Sequence, residues 1–69
     1  MKLSARNQLE GTVAKVTTGA TTAHVVIELG GGQKVTASIT NEAVAELGLA
    51  AGKRVVAVIK ASDVMVGVP

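Results

Sequence analysis

Residues 23–40 read AHVVIELGGGQKVTASIT, and this stretch decides the fold. Ala23, Val25, Ile27 and Leu29 alternate with His24, Val26 and Glu28, the two-residue period of a strand with one buried face. Gly30, Gly31 and Gly32 then interrupt the pattern with residues that tolerate positive φ. Beyond them Val35, Ala37 and Ile39 alternate with Lys34, Thr36, Ser38 and Thr40. Two strands of matching pattern around a short glycine turn predict an antiparallel hairpin. The glycines are not a phosphate loop, because neither a Lys-Ser/Thr pair nor a helix start follows them.

Upstream, Gln8–Val16 (QLEGTVAKV) offers Leu9, Gly11 and Val13 on one face before the alternation shifts to Ala14 and Val16. That slip predicts a bulge or coil in a bent strand, with Gly11 marking the bend or a close backbone approach. Thr17-Thr18-Gly19 supplies the turn into the second strand. Downstream of Thr40 the period changes. Asn41–Leu47 (NEAVAEL) predicts a helix of about two turns, capped by Thr40 or Asn41 and ended by Gly48 at the C′ position. After a turn at Ala50-Ala51-Gly52-Lys53, the run Arg54–Lys60 is apolar on both faces for five residues, so it predicts a strand covered on both sides. The second covering surface is expected to be another subunit. Val64, Val66 and Val68 predict a fifth, short strand. The expected fold is all-β: a small five-stranded OB-like barrel with one short helix between strands 3 and 4, an SH3-like barrel being the alternative.

Sixty-nine residues make one domain, spanning 1–69. Such a chain buries only about 60% of the surface it exposes when unfolded. It has no cysteine to staple it and no aromatic residue to anchor a core, yet 48% of it is hydrophobic and its mean hydropathy is +0.45. Oligomerisation reconciles these facts. The net charge of +2 is mild and scattered, unlike the basic stripe of a duplex-binding protein, and single-strand binders need aromatic stacking platforms. No nucleic-acid partner is therefore expected. No apolar run is long enough to span a membrane and Met1-Lys2-Leu3 is too short for a signal peptide, which makes the cytoplasm the expected compartment.

Two polar islands interrupt the aliphatic background: Ser4-Ala5-Arg6-Asn7 and Lys60-Ala61-Ser62. Each sets a hydroxyl two residues from a cation, and on an extended strand such residues share a face. Thr40, at the strand-to-helix junction, adds a hydroxyl near the helix start. Two cations, several hydroxyls and nearby N–H groups match the needs of a tetrahedral oxyanion. The same residues also suit solvated strand ends, and spacing alone does not choose. His24 lacks a second histidine or an adjacent nucleophile, so a structural or interfacial role fits it better than metal binding or general-base work. Glu42 and Glu46 read as a solvated helix face. With no nucleophile–base pair and no metal cluster, an enzyme is not expected.

Taken in order, SARNQLEGTV (4–13), GATTAHVVIELGGG (19–32), the SIT and LGL of 38–49 and GKRVVAVIKASDV (52–64) resemble the molbindins, stand-alone Mop or TOBE domains that bind molybdate. The resemblance spans essentially the whole chain. It implies an OB-like barrel assembled as a homo-hexamer (a trimer of dimers) with strands exchanged between partners and oxyanion sites at subunit interfaces. It implies a cytoplasmic protein that stores or buffers molybdate or tungstate, with no catalytic cofactor. The alternative is a molybdate-sensing regulatory module acting through a protein partner. Carried over residue by residue, the oxyanion contacts fall on Ser4, Arg6, Thr40, Lys60, Ala61 (through its backbone only) and Ser62, with Ala5 and Asn7 as supporting positions. Asn7 is expected to fix the local turn. Two positions depart from the pattern: Thr21 replaces an aliphatic residue, and His24 stands where a glutamate is common. His24 could therefore add a titratable charge near an interface.

Overall fold

The structure, a computed structural model, describes all 69 residues. Four strands and one helix form along the chain: β1 (Asn7–Thr18), β2 (Thr22–Gly30), β3 (Gln33–Thr40), α1 (Asn41–Leu47) and β4 (Arg54–Ile59), followed by a 3₁₀ turn at Ala61–Asp63. The strands make one antiparallel sheet in the order β3-β2-β1-β4, with α1 set against β2 and β3. The expected hairpin is β2–β3. Its turn is Gly31-Gly32, both with positive φ (60° and 83°), as the tight turns that match strand twist require.

The expected break in β1 is a bulge. Val13 pairs with Ile27 and Lys15 with Val26, leaving Ala14 without a partner on β2. The extra residue lets Val13 and Val16, three apart, both point inward; a regular strand would send them to opposite faces. Gly11 marks a close approach. It is buried, and a Cβ placed on it would lie 2.6 Å from the Glu28 carbonyl oxygen and 2.7 Å from Ile27 Cγ2.

Helix α1 starts and stops as its sequence specifies. Thr40 Oγ1 accepts from the Ala43 N–H at 3.0 Å, and Asn41 ties the start to the β1–β2 turn through its N–H to the Thr21 carbonyl and its Nδ2 to the Gly19 carbonyl. At the other end Gly48 is left-handed (φ 61°). Its N–H donates to the Ala45 carbonyl, and the Leu49 N–H donates to that of Val44, a Schellman closure. Lys53 Nζ covers the Leu47 carbonyl at 2.6 Å. Val44 and Leu49 then pack against a core of Val13, Val25, Ile27 and Ala57.

Two expectations are corrected. There is no fifth strand: residues 64–69 join no ladder, and Met65, Val66 and Val68 are about nine-tenths exposed (93%, 91% and 89%). The Val64/Val66/Val68 alternation has the period of a strand, but after the 3₁₀ turn the chain leaves the sheet and meets no free edge of its own. With β3 and β4 both unpaired on their outer sides, the sheet is a half-barrel of four strands, not a closed barrel of five. Within the chain β4 is covered on one side only, which leaves its other side for the second covering surface expected from another subunit. Val55 and Ala57 face the core, whereas Val56 is half-buried and Val58 is 46% exposed.

Candidate functional site

The two polar islands meet because of one ladder. β1 runs antiparallel to β4, and its first residue, Asn7, pairs with the last of β4, Ile59. The chain entering β1 and the chain leaving β4 therefore share one corner of the sheet. Ser4, Ala5 and Arg6 on one side and Lys60, Ala61 and Ser62 on the other line an open cleft of about 560 Å³, together with Val58 and Asp63. No second subunit is needed to bring the islands together.

The route differs from the strand-face argument. Residues 4–6 precede β1 in a bent segment, and residues 61–63 form the 3₁₀ turn, so neither pair converges by strand alternation. Side-chain amides fix the corner instead. Asn7 Nδ2 donates to the Ile59 carbonyl at 3.2 Å, which makes Asn7 a clamp across the ladder end and not a local turn residue. Gln8, which sequence reasoning passed over, donates from Nε2 to the Ala5 carbonyl at 3.1 Å and folds the SARN segment back on β1.

The cleft is electropositive and unsatisfied. The side-chain hydrogen bonds of the chain engage Asn7, Gln8, Thr40, Asn41 and Lys53, and none involves Ser4, Arg6, Lys60 or Ser62. Two cations and two hydroxyls thus face one opening with their hydrogen-bonding capacity free. Its volume is several times that of a five-atom anion, so one chain supplies a wall of a site and not an enclosure.

Thr40 is not brought to this cleft. It ends β3, the strand at the opposite edge of the sheet from β4, and its oxygen is already the α1 cap. Its hydroxyl proton remains free to donate. The cap alone makes a prediction: Thr40→Ala is expected to lower the unfolding free energy by about 1 kcal/mol in a urea titration followed by circular dichroism, and Thr40→Ser to restore it. An unchanged midpoint in the alanine variant would remove the cap from the account of helix stability.

His24 lies exposed on the outer sheet face, opposite Thr17 on β1 and Ser38 on β3. No group of three or more His, Cys, Asp or Glu is placed to hold a metal ion. Glu42 and Glu46 are exposed on α1. Asp63 also lines the cleft, although the polar islands marked in the sequence end at Ser62. Its signal was present in its distance of three residues from Lys60, one turn of a 3₁₀ helix.

A second concavity borders the cleft and shares Val58 with it. Met1, Leu3, Leu47, Leu49, Val55 and Val56 line this apolar groove along β4, with Lys53 and Arg54 at its margin.

Known proteins resemble this chain over nearly its whole length. The TOBE domain model matches residues 3–66. Molybdenum-pterin-binding protein 3 of Clostridium pasteurianum is 48% identical over 66 residues, covering 96% of this chain and 97% of its own. The solved structure of apo MopII from the same organism superposes with a TM-score of 0.90 at 45% identity, covering 97% of this chain and 100% of that one. The cytoplasmic molybdate-binding protein ModG, solved with molybdate bound, gives a TM-score of 0.94 at 55% identity, covering all of this chain (100%) and 49% of its own.

Proposed function

This chain belongs to the TOBE-domain family, in its small molbindin (Mop) form, and from that premise we propose that it binds molybdate reversibly and stores or buffers it in the cytoplasm. The observation that carries the reading is the corner cleft, where Arg6 and Lys60 line one opening with Ser4 and Ser62 and none of the four holds a side-chain hydrogen bond within the chain. In this reading Arg6 and Lys60 balance the dianion, while Ser4, Ser62 and the Ala61 backbone donate to its oxygens. No bond of the anion is made or broken. The structural neighbour with molybdate bound supports this ligand class, and the same donor set would accept tungstate.

The open cleft needs a second wall, and we assign it to another copy of the chain in a homo-oligomer, a hexamer by family resemblance. Two features support this. Only 6 of 69 residues are buried, a small core for so apolar a chain. The groove along β4 and the apolar 64–68 segment are both exposed, and mutual cover would remove both from water. Thr40, stranded at the far edge of its own chain, would then reach the site of a neighbour.

Thermal unfolding with added oxyanion tests the function. A ligand at about 100 times its Kd adds about 2.7 kcal/mol, which raises Tm by on the order of 10 °C in a domain of this size. Molybdate is expected to give such a shift and sulfate, of equal charge and shape but smaller, almost none. Equal shifts with the two anions would defeat the selectivity, and no shift with either would defeat the function.

A further inference from the structure

The cleft holds one charge of the wrong sign for its proposed ligand. Asp63 lines it beside Arg6 and Lys60. The backbone explains why: the Asp63 N–H donates to the Lys60 carbonyl at 2.9 Å, closing a 3₁₀ turn. Lys60 is the extended residue that leads into this turn, and Asp63 is its last residue. The turn that presents Lys60 to the cleft therefore presents a carboxylate with it.

Neither ordinary role for an acidic residue accounts for Asp63. It is no helix cap, because the turn has no side-chain cap and spans only three residues. It also holds no structural hydrogen bond, since the side-chain bonds of the chain lie elsewhere. Its effect is on the cleft. Two cations and one carboxylate leave a single net positive charge to meet the two negative charges of molybdate. A like charge on the rim of an anion site costs affinity at any distance short of full screening.

We propose that Asp63 is a counter-charge built into the oxyanion cleft, which holds molybdate affinity below what Arg6, Lys60 and the hydroxyls would otherwise give and so keeps the anion releasable. The inference rests on the molybdate reading above. For a protein that buffers an anion it supplies what a fully complementary site lacks, a dissociation constant high enough for the store to empty.

Calorimetric titration of the full chain with sodium molybdate tests it, comparing wild type with Asp63→Asn and Asp63→Glu. Asparagine keeps the shape and removes the charge, so it is expected to tighten binding by about fivefold or more at low salt. Glutamate keeps the charge and should stay near wild type. In about 1 M sodium chloride, where the screening length falls to about 3 Å, the asparagine gain should largely vanish. A merely structural residue would weaken binding when replaced, not tighten it. Wild-type binding with an unchanged or weaker Asp63→Asn variant overturns the counter-charge, as does a gain that persists undiminished in high salt. If neither protein binds molybdate, the functional reading itself falls.

Discussion

Replacing Lys60 by alanine is expected to weaken molybdate binding by about tenfold or more, and Arg6→Ala by a similar factor. Each side chain offers a charge-assisted hydrogen bond, and such bonds contribute about 1.5–3 kcal/mol, or roughly one to two decades in Kd. Within the chain neither cation has an alternative partner, so its removal exposes no competing contact and leaves no orphaned acceptor. Stability should therefore change little while affinity falls, a split that separates a ligand contact from a structural one. Calorimetry with molybdate, paired with a urea denaturation of each variant, reads both quantities. The double variant should bind below detection. Unchanged affinity in Lys60→Ala would remove it from the site, and the same result for both variants would move the site away from the corner cleft. Lys60→Arg is a sharper probe, because it keeps the charge but exchanges a compact ammonium for a planar fork. Partial recovery is expected.

The hairpin, the bulge and both helix caps were legible because each is written in adjacent residues. Alternation around Gly31-Gly32 gives the hairpin, and the slip at Ala14 gives the bulge. Thr40 and Gly48 bracket α1 by the geometry their own backbones allow. The fifth strand was misread for the converse reason: Val64, Val66 and Val68 carry the period of a strand, but a strand also needs a neighbour, and periodicity is silent about that. The same gap hid the meeting of the polar islands within one chain. Nothing local in SARN or KAS states that Asn7 pairs with Ile59, and that single register places them at one corner. Asp63 was passed over because a turn residue after a strand reads as punctuation until the turn proves to be 3₁₀. Thr40 shows the opposite case, one of the two residues expected as the cap and the one that forms it, yet lying at the far edge from the cleft its chemistry suits.

The corner exists only while β1 can cross β2 closely, and Gly11 permits that crossing. Gly11→Val is expected to destabilise the protein by about 3 kcal/mol or more, a large share of the stability available to a domain this small. The clash has no easy relief. The nearest atom to an added Cβ is the Glu28 carbonyl oxygen at 2.6 Å, which belongs to the backbone at the β1–β2 ladder. The next, Ile27 Cγ2 at 2.7 Å, belongs to a core residue packed with Val13 and Val25. Separating the strands enough to admit the side chain would break ladder bonds and open the core together, and overpacking of this kind already costs about 1–3 kcal/mol when only side chains must move. Even Gly11→Ala brings the Cβ and should be clearly destabilising. Gly67 provides the control: nothing lies within 4 Å of a Cβ placed there, so Gly67→Ala should leave the denaturation midpoint unchanged. Urea unfolding of the three variants followed by far-ultraviolet circular dichroism reads the difference. A Gly11→Ala midpoint equal to wild type would show that β1 and β2 can separate freely, and the corner cleft would then lose the rigid frame that aligns Arg6 with Lys60.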